Sequence, residues 1–293
     1  MASFFWAIPL SARYMIMSAL GFSVMGASVK VAYLQGIPVL EIVAARAFIS
    51  AVLSYLDVRR KGISLLGNCK DLLMARGLAG ALALVCVYTA LVNIPFAEAT
   101  VLQYLHPMFT ALLAIVFLRE RVELSTLICI VCSFIGLLII VRPEFLFGGW
   151  SGEYPLWAIA LAVTGALGSA IAYVLVRKLS ATEDASVIIF YFPIIALPVS
   201  LLLLGDNMVM PQGWAWCSLL LVGVATQVGQ IGLTKAMQTA SASKATSFSY
   251  LQVVFAIILG ALFFDEIPTI WTFLGAALIL AGAFINVISK ERA

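Results

Sequence analysis

A chain of 293 residues with 63% hydrophobic and 11% charged side chains, a mean hydropathy of +1.11 and a net charge of +3 carries more apolar surface than a water-soluble domain of its size can bury. The basic residues are scattered over segment ends and never form a stripe with interleaved aromatics, which excludes a nucleic-acid partner and leaves the lipid bilayer as the solvent. In chain order, the stretch Met1 to Leu10 has no basic start and Arg13 follows it, so it reads as a retained segment lying at the interface and not as a cleaved signal. Ten apolar segments then follow, at about 14–33, 38–56, 74–93, 97–118, 124–141, 156–176, 186–204, 214–234, 245–264 and 271–288. Each approaches the ~20 residues that cross a ~30 Å hydrocarbon core. The expected fold is an all-α polytopic membrane protein of ten transmembrane helices, five before and five after the turn Gly148-Gly149-Trp150-Ser151-Gly152. The two halves are 1–147 and 148–293.

Charge orients these spans. With the N-terminus cytoplasmic, the inner side receives Arg13, Arg59, Arg60, Lys61, Lys70, Arg76, Arg119, Arg121, Arg177, Lys178, Lys235, Lys244, Lys290 and Arg292, and the outer side only Arg142. Lys30 and Arg46 fall within spans. So strong a bias satisfies the positive-inside rule and puts both termini in the cytoplasm.

The second half repeats the first. A shift of 146 residues carries Ala90 to Ala236, Thr100 to Thr246, Tyr104 to Tyr250, Phe109 to Phe255, Phe117 to Phe263, Glu120 to Glu266 and Gly136 to Gly282. Matching connectors carry opposite charge bias: five basic residues follow span two, whereas Gly205 to Gly213 after span seven has none, and Arg119-Glu120-Arg121 is answered by Asp265-Glu266. An odd number of spans per copy inverts the second copy, and inverted repeats are the architecture of secondary transporters that work by alternating access.

Polar groups at membrane depth are costly and mark a pathway or a packing contact. Arg46 lies about 10 Å deep at about 1.5 Å per residue; it is either a fork for an anionic substrate group or a strut paired with a carboxylate such as Glu41. Lys30 is close enough to the outer end of span one to snorkel. His106, the single histidine, precedes Pro107, which opens the helix ladder. It is a packing residue or, with an ordinary pKa of ~6.5, a site of proton coupling. Gln103 and Tyr104 flank it, the mate segment offers Ser247, Ser249, Tyr250 and Gln252, and Tyr88, Thr89, Asn93, Tyr173, Gln227 and Gln230 complete the polar set. The candidate substrate-binding residues are Arg46, Tyr88, Gln103, His106, Tyr173, Gln227, Gln230, Tyr250 and Gln252. Such groups suit a small polar metabolite, with a proton or counter-substrate as coupling partner. Small-residue stripes at i, i+4 spacing, Ala158, Ala162, Ala166 and Ala170 in span six, Ala19, Ser23 and Ala27 in span one, and Ala75, Ala79 and Ala83 in span three, predict close helix packing.

The segments AEATVLQYLHPMFTALLAIVFLRERV (97–122) and SKATSFSYLQVVFAIILGALFFDE (243–266), with Lys30, Ala45-Arg46, Gly136, Tyr173, Arg177, Gly275 and Gly282, resemble the EamA-type branch of the drug/metabolite transporter superfamily over essentially the whole length. The resemblance implies two inverted five-helix repeats around a central cavity. It also implies carriage of amino acids, riboflavin, sugar derivatives, organic acids or drugs, most commonly across a bacterial inner membrane.

An intramembrane enzyme lacks its parts: there is no His-Glu-x-x-His, no G-x-S-x-G and no Gly-Lys phosphate loop, and Ser241-Ala242-Ser243-Lys244 is a chance S-x-x-K. No cofactor or metal is called for, since Cys129 and Cys132 are one pair without a second. The reading is a secondary transporter, by efflux or exchange; a facilitative, channel-like permease or an uptake transporter for a vitamin, amino acid or organic anion is the alternative. Saturable flux with counterflow separates a carrier from a channel.

Overall fold

The computed structural model describes residues 8–93, 96–141, 155–265 and 268–289; the side chains of Tyr88, Leu91, Val92, Phe96, Ala97 and Glu98 lie outside this description, as do Arg142, the 148–152 turn, Glu266, Lys290 and Arg292. Twelve α-helices account for the described chain. They are α1 (Leu10–Leu34), α2 (Val39–Lys61), α3 (Lys70–Asn93), α4 (Phe96–Gln103), α5 (His106–Leu113), α6 (Leu124–Val141), α7 (Leu156–Leu179), α8 (Ala185–Leu204), α9 (Ala215–Thr239), α10 (Ala242–Ser247), α11 (Leu251–Phe263) and α12 (Ile270–Ile288). Nine segments among the described residues are long and apolar enough to span a membrane; α4–α5 and α10–α11 each make one of them, as the continuous stretches Ala99–Leu118 and Ala242–Phe263. The remaining predicted span is α3, a 24-residue helix outside that set of nine.

Local chemistry sets the ends. Pro9, Pro38 and Pro155 stand immediately before α1, α2 and α7, where a missing N–H costs nothing. Asp184 caps α8 by accepting from the Ser186 N–H, and Thr269 and Thr272 form a capping box at α12. After α5 the chain makes a π turn, Ala114–Leu118, and leaves it through Arg119 in the left-handed region (φ 54°). Asp265 (φ 53°), exactly one repeat further along, is the other non-glycine residue with positive φ among the described residues.

Packing is dominated by four helix pairs: α1 on α9, α3 on α7, α6 on α12 and α2 on α8. The shift of 146 residues exchanges the first two pairs and maps each of the last two onto itself. Within each pair the helices run antiparallel. Gly165 of α7 meets Val87 and Ala83 of α3 while Gly168 meets Ala83 and Ala79. Gly21 of α1 meets Gly229 and Ala225, and Gly232 meets Tyr14 and Ser18. Gly136 faces the Gly275 carbonyl, and Gly282 faces Cys129 and Cys132. In α2 and α8 the last residue, Lys61, reaches the cap Asp184.

The small-residue stripes lie at these seams, because apolar side chains gain nothing from association in lipid and only backbone contact remains. Ala158, Ala162, Ala166 and Ala170 are all buried, and so are Ala19 and Ser23. Ala27 is half-buried, and in α3 the stripe is shorter than predicted: Ala79 and Ala83 meet α7, but Ala75 is exposed. Cys129 packs inside α6, and its thiol lies near the Ser133 hydroxyl and the Ser247 carbonyl.

A Cβ added at Gly136 would stand 2.6 Å from the Gly275 carbonyl oxygen, and one at Gly232 2.6 Å from that of Tyr14. Gly136→Val and Gly232→Val are therefore expected to lower stability by about 1–3 kcal/mol, the usual cost of overpacking. Gly26→Ala, where the new methyl meets open space, should leave thermal unfolding in detergent unchanged or slightly raised.

Candidate functional site

Two helices are broken at matching heights. The first break separates α4 from α5 at Tyr104 and Leu105, where Pro107 near the start of α5 cannot donate to the ladder. The second separates α10 from α11 through a 3-10 turn, Phe248–Tyr250, with no proline in it. The breaks touch. The Tyr250 hydroxyl donates to the carbonyl of Tyr104, its own repeat equivalent, at 2.8 Å, and the two rings stack at 5.5 Å.

His106 sits beside this junction, 6% exposed. Its Nδ1 lies 3.0 Å from the Gln103 carbonyl, which can only accept, so Nδ1 carries a proton. In the neutral ring Nε2 then accepts from the Ser249 hydroxyl, at 3.4 Å. The imidazole meets the Tyr173 ring edge-on at 5.3 Å and the Tyr104 ring at 5.8 Å. Gln103 donates to the Ser169 hydroxyl at 3.3 Å, and its buried Oε1 has no partner among the described residues.

Tyr173 links this cluster to two arginines, lying within electrostatic reach of both guanidinium groups. Arg46 and Arg76 converge on one aromatic ring, with their Cζ atoms 5.8 and 5.1 Å from the centroid of Phe192. Arg46 also donates to the Met25 sulfur at 3.6 Å. Arg76 is 3% exposed and donates through Nη2 to Gln230 Oε1 at 3.2 Å, while its Nε and Nη1 have no hydrogen-bond partner among the described residues.

Arg46, Gln103, His106, Tyr173, Gln230 and Tyr250 thus belong to one connected cluster. Gln227 does not. Its amide is held at both ends, accepting from Ser50 at 2.6 Å and donating to Ser54 at 2.8 Å, which makes it a clamp between α9 and α2. Gln252 is half-buried and contributes its carbonyl to the Ser23 hydroxyl. The Tyr88 side chain lies outside the described residues.

Two expectations need correction, and a third gains a contact. Glu41 is not a strut for Arg46; its carboxylate accepts from the Val209 N–H at 2.8 Å, because α2's first turn faces the 205–213 connector. Lys30 is exposed as expected, but its ammonium rests on the Phe264 ring, 4.2 Å from the centroid. Arg76 is not a connector residue. Because α3 begins at Lys70, Arg76 lies almost two turns inside the helix, and starting span three at the Lys70-Asp71 pair would have revealed it.

Residues 10–142 and 156–288 each match the EamA-like transporter family. The chain belongs to that family. It is 34% identical over 277 residues to the pseudopaline exporter CntI of Pseudomonas aeruginosa PAO1, covering 94% of this chain and 95% of the relative. It is 32% identical to solute carrier family 35 member G1 of Mus musculus, over 90% of this chain and 74% of that protein. A crystal structure with 19% identity superposes with a TM-score of 0.77 over 92% of this chain and 95% of its own, a likeness of fold alone. The protein is a multi-pass membrane transporter of small metabolites and not an enzyme.

Replacing the clamp by Gln227→Ala leaves the buried Ser50 and Ser54 hydroxyls without it and should cost about 1–3 kcal/mol in thermal unfolding. Per folded molecule, substrate affinity should stay at the wild-type value, because Gln227 makes its bonds away from the cluster.

Proposed function

We propose that the chain is an alternating-access carrier of ten spans, built as two inverted five-helix repeats (1–147 and 148–293), that exports a small polar metabolite. Both termini lie in the cytoplasm and the membrane is a bacterial inner membrane. The observation that carries this reading is the pair of broken helices meeting through Tyr104 and Tyr250, since discontinuous helices at corresponding positions of two halves mark the binding site of repeat transporters. The antiparallel packing of the mate helices α2 with α8 and α6 with α12 supports inversion. Near full-length similarity to an exporter supports efflux. Arg46, Gln103, His106, Tyr173 and Gln230 surround the substrate and Tyr250 holds the junction. A proton or counter-substrate supplies the drive. Oligomerisation is not part of the scheme, because the internal repeat provides both halves of the cavity.

On this topology the cytoplasmic ends are tied together. Lys61 pairs with Asp57 and Asp184 at 2.9 Å each, and Ser186 also donates to Asp57. Glu183 accepts from the Asn68 and Cys69 N–H groups at 2.6 Å. Arg177 pairs with Glu120 at 2.8 Å and donates to the Met237 carbonyl, while Glu120 accepts from the Ala242 N–H. Lys244 pairs with Glu123 at 3.4 Å. These contacts bridge α2 to α8, and the ends of α5 and α7 to α9 and α10, and an inward opening that separates these elements must break them.

Proteoliposome counterflow tests the scheme. Saturable exchange is expected, with loss of most flux in Arg46→Gln and His106→Gln at unchanged expression; undiminished flux in both variants overturns the placement of the site.

The cytoplasmic tie also has a pH signature. Partial burial of Asp184 by itself would raise its pKa, but the bonds from Lys61 and Ser186 outweigh burial and hold the carboxyl below the usual range. A depressed carboxylate contributes stability that is complete above its unfolded value of about 3.9 and is lost as pH falls through the lower folded value. Wild type should lose thermal stability below about pH 4 more steeply than Asp184→Asn, as read by unfolding in detergent across pH 3 to 6.

A further inference from the structure

The two arginines on Phe192 are unmatched. Among the described residues no carboxylate pairs with Arg46 or Arg76: Glu41 is committed to Val209, Asp57 to Lys61 and Ser186, and Glu120 to Arg177 and Ala242. Arg76 is almost fully enclosed, with one neutral bond to Gln230 and two guanidinium nitrogens without an acceptor among the described residues. A buried cation without a counter-charge is among the most expensive arrangements a protein can hold, and its persistence calls for a ligand that supplies the missing anion. The geometry doubles the demand. Arg46 enters from the start of α2 and Arg76 from the start of α3, so the two forks reach one ring from opposite ends of the bundle, and each presents planar donors suited to an oxyanion.

We infer that the transported metabolite is a dianion whose two oxyanion groups, carboxylate or phosphate, are taken one by Arg46 and one by Arg76 on either side of Phe192. This rests on the carrier reading above and narrows it to a substrate class. Zwitterions and neutral sugars leave at least one fork unmatched and bind more weakly.

The test is thermal unfolding of the detergent-purified full chain at constant ionic strength, with succinate and citrate as the dicarboxylate arm, 3-phosphoglycerate, which carries a phosphate and a carboxylate, as the phosphate arm, and acetate, alanine and glucose as the remaining probes. Dose-dependent stabilisation is expected from the dicarboxylate or the phosphate arm, whichever group fits, with acetate at least tenfold weaker and glucose silent. Arg46→Gln and Arg76→Gln should each reduce the dianion response to the acetate level. Arg76→Met should raise the ligand-free melting temperature, since it removes a lone buried charge; a merely structural arginine predicts a fall. Equal stabilisation by alanine or glucose, an unchanged dianion response in Arg76→Gln, or a lowered ligand-free melting temperature in both Arg76→Met and Arg76→Gln overturns the inference. Counterflow of the best probe in proteoliposomes separates the two claims. Exchange of alanine or glucose that depends on Arg46 keeps the carrier and discards the dianion, whereas a dianion that binds without exchanging keeps the site and discards the carrier.

Discussion

Hydrocarbon accepts and donates no hydrogen bonds, and the whole architecture answers to that constraint. An unbroken apolar helix meets it automatically, which is why most of the chain is such helix. Every departure needs a local remedy, and the departures are concentrated where the two halves meet. The interruption between α4 and α5 exposes the Tyr104 carbonyl, which the Tyr250 hydroxyl satisfies. The interruption before α11 places Ser249 against His106. Polar backbone at membrane depth is thus tolerated because each break is the other's solvent.

The same constraint explains how the helices hold together. Lipid tails are as apolar as leucine, so association depends on contact distance, and glycine and alanine seams supply it in three of the four main pairs. The fourth pair, α2 with α8, is different. It carries prolines at 193 and 198, its ends are joined by the exposed Lys61 to Asp184 contact, and Phe192 with its two arginines lies along it. A pair held by ions at one end and lined by charge in the middle can separate more cheaply than one fused by backbone contact. On the carrier reading, the α1/α9, α3/α7 and α6/α12 pairs are the stiffer units and the α2/α8 pair is the seam expected to give.

Much of this was legible in the sequence. Apolar segments of about 20 residues gave helix positions to within a few residues, because in lipid length and hydropathy determine the fold almost alone. The shift of 146 residues predicted equivalences that the backbone repeats down to the left-handed Arg119 and Asp265, two residues of opposite charge in one conformation. Side-chain direction was the part that hydropathy does not encode. Gln227 and Gln230 stand three residues apart on α9 and look interchangeable, yet one is a clamp on α2 and the other accepts from Arg76. Arg76 was hidden for a related reason: a cation close to a run of basic residues reads as part of the surface, and only the start of α3 at Lys70 carries it inside. The second helix break was illegible because Phe248-Ser249-Tyr250 holds neither proline nor glycine, and tertiary contact with Tyr104 imposes it.

The bond between Tyr104 and Tyr250 is lopsided: two equivalent residues face each other, and only one of them donates to the other's carbonyl. If the halves are inverted copies, exchanging the roles of donor and acceptor yields the same type of bond, with Pro107 beside only one of the two breaks. Such a pair has two forms built on one bond type, which differ only in the residues around them. A carrier must spend comparable time open to each side, and most proteins reach that balance only by tuning unrelated contacts against one another. On the carrier reading, an internal repeat brings the two forms close in energy from the outset, leaving substrate and gradient to decide between them.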